Sequence, residues 1–255
     1  MSDVPLSDLS QRLQTLFADE QFEAGFALGR HILHFYPRHL DTYKQMGRAA
    51  LAAGVMGEGI DLLQRALSAD PEDGELWAVL HRAAQQQGLA TDAETAKRYA
   101  RALLTPERST DAIARGHIAA REQNWPAAYR AYREGYLAQP HRIDAGLGLL
   151  TTLMRLQQWQ PAQTLAEYLL NELPYSLKAL WGALLCTQAQ GDAATAWPAH
   201  YLRTARSLDP TDAFVEQWWG ALPDTFPPAP PATLPPWDDT QRWQYQSAGS
   251  VAELG

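Results

Sequence analysis

A series of basic and polar side chains recurs along the chain at positions that could contact an anionic ligand. Arginine binds a carboxylate or phosphate through two parallel hydrogen bonds, and lysine acts as a point charge. The series is Lys44, Gln45, Arg48, Arg82, Gln85, His117, Arg121, Arg155 and Trp181. One interpretation is a binding surface that selects an acidic segment. The other is a solvated face whose arginines aid solubility, with Asp41, Glu75 and Asp144 neutralising it.

Histidines and glycines suggest two other kinds of chemistry, a metal site and a catalytic loop. His31 and His34 are three residues apart and His39 follows, but structural zinc needs four ligands and no cysteine or carboxylate cluster joins them. Gly146-Leu147-Gly148 lies inside a helical pattern, and neither G-x-S-x-G nor H-E-x-x-H occurs. We therefore expect no metal, no cofactor and no enzymatic activity.

The composition narrows the classes of partner. The 255 residues are 46% hydrophobic and 20% charged, which favours a packed core, and the formal net charge is −8. An acidic surface is repelled by phosphate backbones and anionic membranes, so we expect no nucleic acid partner and no membrane insertion. The single Cys186 cannot form an internal disulfide. No signal peptide or long apolar run is evident, which predicts a cytoplasmic protein.

The elements that would position these side chains are indicated by proline spacing. Six prolines follow one another at intervals of 34, 35, 34, 34 and 36 residues, each after a run of helix formers: Pro37, Pro71, Pro106, Pro140, Pro174 and Pro210. Proline cannot continue a helix, so each one ends a helix at the same point of a repeated unit. Each interval therefore contains one complete structural unit.

Each unit repeats a pattern of small and large residues. In the unit from Leu40 to Pro71 the first helix matches the spacing of W-x-x-L-G-x-x-Y, and the second supplies small, large, small and proline places. These residues are Tyr43, Met46, Gly47 and Ala50, then Gly59, Leu63, Ala66 and Pro71. Small residues let two helices approach while a large one fills the facing space. In this pattern the chain resembles the tetratricopeptide-repeat family, over six units from Leu6 to about Pro210.

The resemblance implies an all-α fold, a right-handed α-solenoid of antiparallel helix pairs with about six repeats, about thirteen helices and no strand. It also implies a non-catalytic scaffold that binds another protein or peptide in the concave groove formed by the first helices. The basic and polar series would line that groove and select an acidic segment. The family's carboxylate clamp needs asparagines beside Lys44, and they are missing here. An RNA-binding helical repeat is the alternative, which a uniformly positive groove would favour.

A Pro-rich tail follows the repeats. We predict a domain at 1–220, ended by a short capping helix from Ala213 to Trp219, and a tail at 221–255. Its prolines favour an extended polyproline conformation. Trp237, Trp243 and Tyr245 form a tail motif, because large aromatic residues are rarely left in solvent. They would pack on the chain's own repeats, dock on a partner as a linear motif in an assembly, or join a homo-oligomer.

Overall fold

The computed structural model describes residues 3–106, 111–191 and 199–237. These residues form thirteen α-helices and one pair of two-residue strands. The helices are α1 (Leu6–Ala18), α2 (Phe22–Phe35), α3 (Leu40–Ala52), α4 (Met56–Ala69), α5 (Gly74–Gln86), α6 (Ala90–Leu104), α7 (Ala112–Arg121), α8 (Trp125–Ala138), α9 (Ile143–Arg155), α10 (Trp159–Glu172), α11 (Leu177–Ala189), α12 (Ala199–Leu208) and α13 (Ala213–Trp218).

Consecutive helices form antiparallel pairs, which confirms the predicted repeat. The second helix of every pair, from α2 to α12, ends two residues before one of the six spaced prolines. The residue that precedes a proline is driven out of the helical region, and this explains the common end point. Asp111 caps α7, because Ile113 N donates to its Oδ1 over 3.0 Å.

A residue in the left-handed conformation closes the turn between the two helices of each pair. Gly54 and Gly88 have φ of 81° and 71°, and Gly191 also has 71°. The other three turns use Glu20, Gln123 and Gln157, whose φ angles lie between 55° and 58°. Side chains with a Cβ adopt this conformation at a cost of about 1–2 kcal/mol. The turn geometry is therefore kept where the glycine is absent.

By internal contacts the chain divides into two compact units. The first unit is Met1–Ala66 together with Arg206–Gly255, and the second is Leu67–Ala205. The first unit thus joins the early helices to the segment that follows α12. The domain boundary at residue 220 stays a prediction.

In the first unit, strand β1 (Val4–Pro5) pairs antiparallel with strand β2 (Thr233–Leu234), with Val4 opposite Leu234. The expectation of no strand is wrong at this one place. Pro5 and Pro235 hold their preceding residues in extended conformations, which suits pairing rather than helix. The tail segment consequently lies against the start of α1.

Side chains of the tail complete the interior of the first unit. Leu234 and Trp237 are 1% and 4% exposed, in one core cluster with Leu6, Leu13 and Ile32 of α1 and α2. Earlier in the tail, Phe226 is also buried. The capping helix α13 is present as predicted, with Val215 buried. The apolar face of the first helix pair is therefore covered by residues from the far end of the described chain.

The second unit is held by close helix approaches at glycines. A Cβ at Gly116 of α7 would lie 2.6 Å from the Tyr132 ring, and one at Gly148 of α9 would lie 2.5 Å from the same ring. Tyr132 thus occupies the space left by two glycines on different helices. Gly146-Leu147-Gly148 is part of this helix packing in α9.

A candidate peptide groove in the first unit

A groove of about 570 Å³ lies between α1 and α3 in the first unit. Its lining includes three residues of the predicted series, Lys44, Gln45 and Arg48, which fall along one side of α3. Lys44 and Arg48 are four residues apart, so their side chains are neighbours on the helix surface. The groove is therefore formed by first helices of successive pairs.

Two half-buried phenylalanines give this groove an apolar part. Phe17 comes from the end of α1 and Phe22 from the start of α2. A Cβ at Gly25 would lie 2.3 Å from the Phe17 ring, so the glycine makes room for it. Phe17 also contacts Phe26 edge to face, with ring centroids 5.3 Å apart. These aromatic residues had no place in the predicted series, since the first pair departs most from the repeat pattern.

The charges of the groove are mixed. Lys44 and Arg48 share the lining with Glu20 and Asp41. Gln45 is held in place because its Nε2 donates to Asp41 Oδ2 over 2.6 Å. Arg48 is exposed and Lys44 is half-buried, so both cations remain near solvent. The site can attract a carboxylate while its own acids limit the net potential.

The other predicted cations lie in the second unit and have separate surroundings. Arg82 and Gln85 are exposed on α5. Arg121 Nη2 donates to the carbonyl oxygens of Leu103 and Leu104 at the end of α6. A cation at this position stabilises the negative end of a helix.

Arg155 lies over the Trp125 ring, with its guanidinium carbon 5.9 Å from the centroid. Partial burial lowers the pKa of Arg155 below its usual value. Arg121 and Arg155 therefore have contacts of their own within the repeat.

Two predicted groove residues are interior residues, and the structure corrects them. Trp181 has no exposed surface, because α11 is buried around most of its circumference. His117 is 8% exposed and Tyr132 lies over its ring edge. Asp144, expected to neutralise the groove surface, is fully buried as well. The sequence pattern placed Trp181 and His117 on the correct helices, but it did not identify the helix face on which each side chain lies.

His117 belongs to a buried polar network of the second unit. Its Nε2 donates to Asp144 Oδ2 over 3.3 Å, and its Nδ1 lies 2.9 Å from Tyr132 Oη. Arg142 donates to both Asp144 oxygens, from Nε over 2.9 Å and from Nη2 over 2.6 Å. The Arg142 guanidinium also lies 5.5 Å from the Tyr99 ring centroid. The network joins α7, α8 and the start of α9.

Ionisation within the network follows from these bonds. Burial alone would raise the pKa of Asp144, but the hydrogen bonds from His117 and Arg142 outweigh it and lower the pKa to about 2. Burial raises the pKa of Tyr132 well above its usual value. Asp144 is therefore an ionised acceptor and Tyr132 a neutral phenol at ordinary pH, which suits a structural role.

The histidines considered for a metal have other surroundings. His31 is buried, and its Nε2 donates to the carbonyl oxygen of Pro235 over 2.8 Å. His39 Nδ1 lies 2.8 Å from Thr42 Oγ1 at the start of α3. Within residues 3–106, 111–191 and 199–237, no group of three or more histidine, cysteine, aspartate or glutamate side chains is placed to hold a metal ion. Burial raises the pKa of the Cys186 thiol to about 12.

The tail motif is only partly described. Trp237 is buried, and the Arg12 guanidinium lies 4.8 Å from its ring centroid. Trp243 and Tyr245 lie outside the described residues. The contacts of Arg12, His31 and Tyr36 with the tail carried no sequence signal, because their partners are distant in the chain.

Comparisons with known proteins give weak similarities only. No family model matches the sequence, and no curated protein matches it. Among solved structures, the MamA protein is 20% identical with a TM-score of 0.34, covering 69% of this chain and 95% of that one. A tetratricopeptide repeat protein from Parabacteroides merdae is 14% identical with a TM-score of 0.35, covering 77% of each chain. The Naa15/Naa10 complex bound to HypK-THB gives 16% identity and a TM-score of 0.32, covering 80% of this chain and 31% of that one.

The class of the protein rests on its own helices. Antiparallel pairs that recur with the proline spacing, close glycine contacts and left-handed turns define an all-α repeat of helix pairs. Of the helices that the structure describes, none has the length and apolar character needed to cross a membrane.

Proposed function

We propose that this chain is a non-catalytic protein-interaction scaffold that binds an extended acidic segment of another protein. The observation that supports the proposal most directly is the convergence of Lys44, Gln45 and Arg48 on one groove of about 570 Å³. A segment with carboxylates could pair with the two cations and place an apolar side chain against Phe17 or Phe22.

The charge pattern favours a peptide over RNA. An RNA groove carries cations along its whole length to neutralise phosphates, and it stacks bases on aromatic rings. Here Glu20 and Asp41 lie among the cations. A peptide with both charged and neutral positions is complementary to such a lining. Docking through Trp237 on a partner is not favoured either, because α1 and α2 already cover this residue.

A peptide-display selection on the full chain tests the proposal. Random peptides are selected in parallel on the unaltered chain and on Lys44→Glu/Arg48→Glu. We expect acidic peptides to be enriched on the unaltered chain and their affinity to fall at least tenfold on the variant, about 1.4 kcal/mol. Added salt should weaken the same peptides, since the cations are near solvent.

A matched control separates the groove from total charge. Arg130→Glu/Arg133→Glu makes the same change of net charge with two exposed side chains of the second unit that lie outside the predicted series. We expect this variant to select the same acidic peptides as the unaltered chain. Two outcomes would reject the groove as the binding site. In one, acidic peptides bind Lys44→Glu/Arg48→Glu as well as they bind the unaltered chain; in the other, they lose affinity equally for both double variants.

The remaining functional expectations stay predictions. These are the absence of catalysis, a cytoplasmic location and the use of Arg82, Gln85, Arg121 and Arg155 by a ligand. Arg121 is unsuitable for a charge-reversal test, because it contacts the end of α6 and its loss would disturb that helix.

A further inference from the structure

The described tail occupies a site that has the features of a peptide-binding site. We call this site the tail cradle; it is formed by β1, α1 and α2, with Leu6, Leu13, Ile32, Arg12, His31 and Tyr36 as its contact residues. Its occupant is the segment from Ala232 to Trp237. Both belong to the first unit.

The tail cradle binds its occupant through main-chain carbonyls. Leu6 N donates to Ala232 O over 2.8 Å, Tyr36 Oη to Thr233 O over 3.1 Å, and His31 Nε2 to Pro235 O over 2.8 Å. Prolines have no amide hydrogen, so a Pro-rich segment offers mainly acceptors. Three donors facing three carbonyls are therefore suited to an extended Pro-containing segment.

Two side chains of the occupant act as anchors. Leu234 and Trp237 enter the core, and Arg12 covers the indole ring by a cation–π contact at 4.8 Å. The side chains of Thr233 and Pro235, by contrast, are exposed. Specificity thus resides in a leucine and a tryptophan three residues apart, with prolines between them.

The connection that brings this segment to the tail cradle contains no helix in its described residues after α13. It starts at Gly220, whose φ of +120° is accessible to glycine alone. Arg206 donates to the carbonyl oxygens of Pro227 and Pro228 part of the way along. Leu234 and Trp237 are therefore carried by an extended connecting segment, the strap. None of the contacts described for these two side chains requires that the strap belong to the same copy of the chain.

We propose that the tail cradle also accepts the tail of a second copy, so that two chains exchange their Ala232–Trp237 segments. Within one chain the connection gives the tail a high effective concentration, on the order of millimolar for a short flexible link. Self-docking therefore dominates in dilute protein. Exchange becomes dominant when the tail of one copy cannot fill its own tail cradle, which is the general route of segment swapping.

A labelled peptide tests whether the tail cradle binds in trans. The probe is a synthetic peptide of residues 226–237 carrying a fluorophore at its amino end, titrated into full-length Trp237→Ala by fluorescence anisotropy. We expect at least tenfold tighter binding to this variant than to the unaltered chain, whose tail competes. A peptide with alanine in place of the tryptophan should not bind, and one with Thr233→Ala should bind normally. Equal binding to both chains, or indifference to the tryptophan, would overturn the proposal.

A mixing experiment tests exchange between complete chains. Trp237→Ala keeps the tail cradle, whereas Arg12→Glu/Tyr36→Phe keeps the tail and weakens the tail cradle through two side chains at its edge. Native mass spectrometry of the mixture should show at least tenfold more heterodimer than either homodimer. Circular dichroism checks that both chains are helical, and Leu234→Thr serves as a second tail variant. A mixture that stays monomeric, or homodimers as abundant as the heterodimer, would reject tail exchange.

Discussion

The interiors of the two units are stabilised by different kinds of contact. The first unit is completed by a tail segment that contacts apolar side chains, His31 and the guanidinium groups of Arg12 and Arg206. The second is fixed by an ion pair, Arg142–Asp144, that is buried together with His117 and Tyr132. Within the same repeat pattern, the interior of the first unit thus depends on a segment distant in sequence, and the interior of the second depends on a buried ion pair. They should respond differently to mutation and to acid.

The largest effect should come from removing the carboxylate of the second unit. Asp144→Ala leaves the Arg142 guanidinium buried without its partner, and such a change costs about 3–5 kcal/mol. Hydrogen exchange should quicken in α7, α8 and α9. The exposed pair Arg115–Glu134 provides the control, because Glu134→Ala should cost less than about 1 kcal/mol. Similar losses for the two variants would contradict the importance of burial.

Trp237→Ala should open the first unit selectively. The indole is 4% exposed, so its removal leaves a cavity and costs about 3–4 kcal/mol. We expect faster hydrogen exchange in α1 and α2 and unchanged exchange in α7 to α9. Thr233→Ala is the matched tail control, since its exposed side chain is lost while its carbonyl remains. If α1 kept its protection from hydrogen exchange in Trp237→Ala, the tail would be dispensable for the stability of this unit.

Mild acid should destabilise the first unit more than the second. Burial lowers the pKa of His39 to about 4, against a smaller opposing effect of Asp41. Burial also lowers the pKa of His31, which bonds to Pro235 and lies near His34. The unfolded state then binds more protons, so stability is full above about pH 6.5 and is lost as the pH falls towards 4, by on the order of 3 kcal/mol for His39.

The second unit should resist the same acid. Because the pKa of Asp144 is about 2, its contribution is present above about pH 3.8 and is lost only below that value. Hydrogen exchange at pH 5, corrected for intrinsic rates, should therefore show loosening in α1 to α3 and protection in α7 to α9. Equal loosening of both regions would contradict the comparison.

A bulky residue at Gly47 tests the predicted repeat register. A Cβ there would lie 2.7 Å from a Leu63 methyl carbon and 3.2 Å from Leu63 N. Gly47→Leu should therefore force α3 and α4 apart and lower the stability of the first unit by about 1–3 kcal/mol. Gly57 is the control, because a Cβ at that position would have no described atom within 4 Å beyond its chain neighbours and the backbone of its own helix. Gly57→Ala should leave the melting temperature unchanged or slightly raised.

The smallest predicted effect is a gain in the second unit. Gln157 has φ of 57°, in a turn where other repeats carry glycine. Gln157→Gly removes this strain and should stabilise by about 0.5–1 kcal/mol after the entropy cost of glycine. Thermal unfolding measures the change. A lower melting temperature would mean that the glutamine side chain contributes more than its backbone costs.

Much of the fold could be predicted because it depends on local rules. Prolines end helices through clashes within one turn, and Gly47 marks a close approach between neighbours in the chain. Lys44, Gln45 and Arg48 were brought together because they share one helix. His117 and Trp181 were misplaced, because periodicity identifies a helix more readily than the face that later helices cover. The tail cradle could not be predicted, since Tyr36 and Thr233 are 197 positions apart.

That separation has a consequence for synthesis. Helices α1 and α2 leave the ribosome before the other described helices, yet the residues that cover Leu6, Leu13 and Ile32 are translated last among those described. At about 5–20 residues per second, the 197 positions between Tyr36 and Thr233 take roughly 10–40 s to translate. During that interval the nascent chain presents an uncovered leucine-rich surface. The burial of α1 and α2 is thus completed only after the tail has been translated, and a holding chaperone could bind them during that interval.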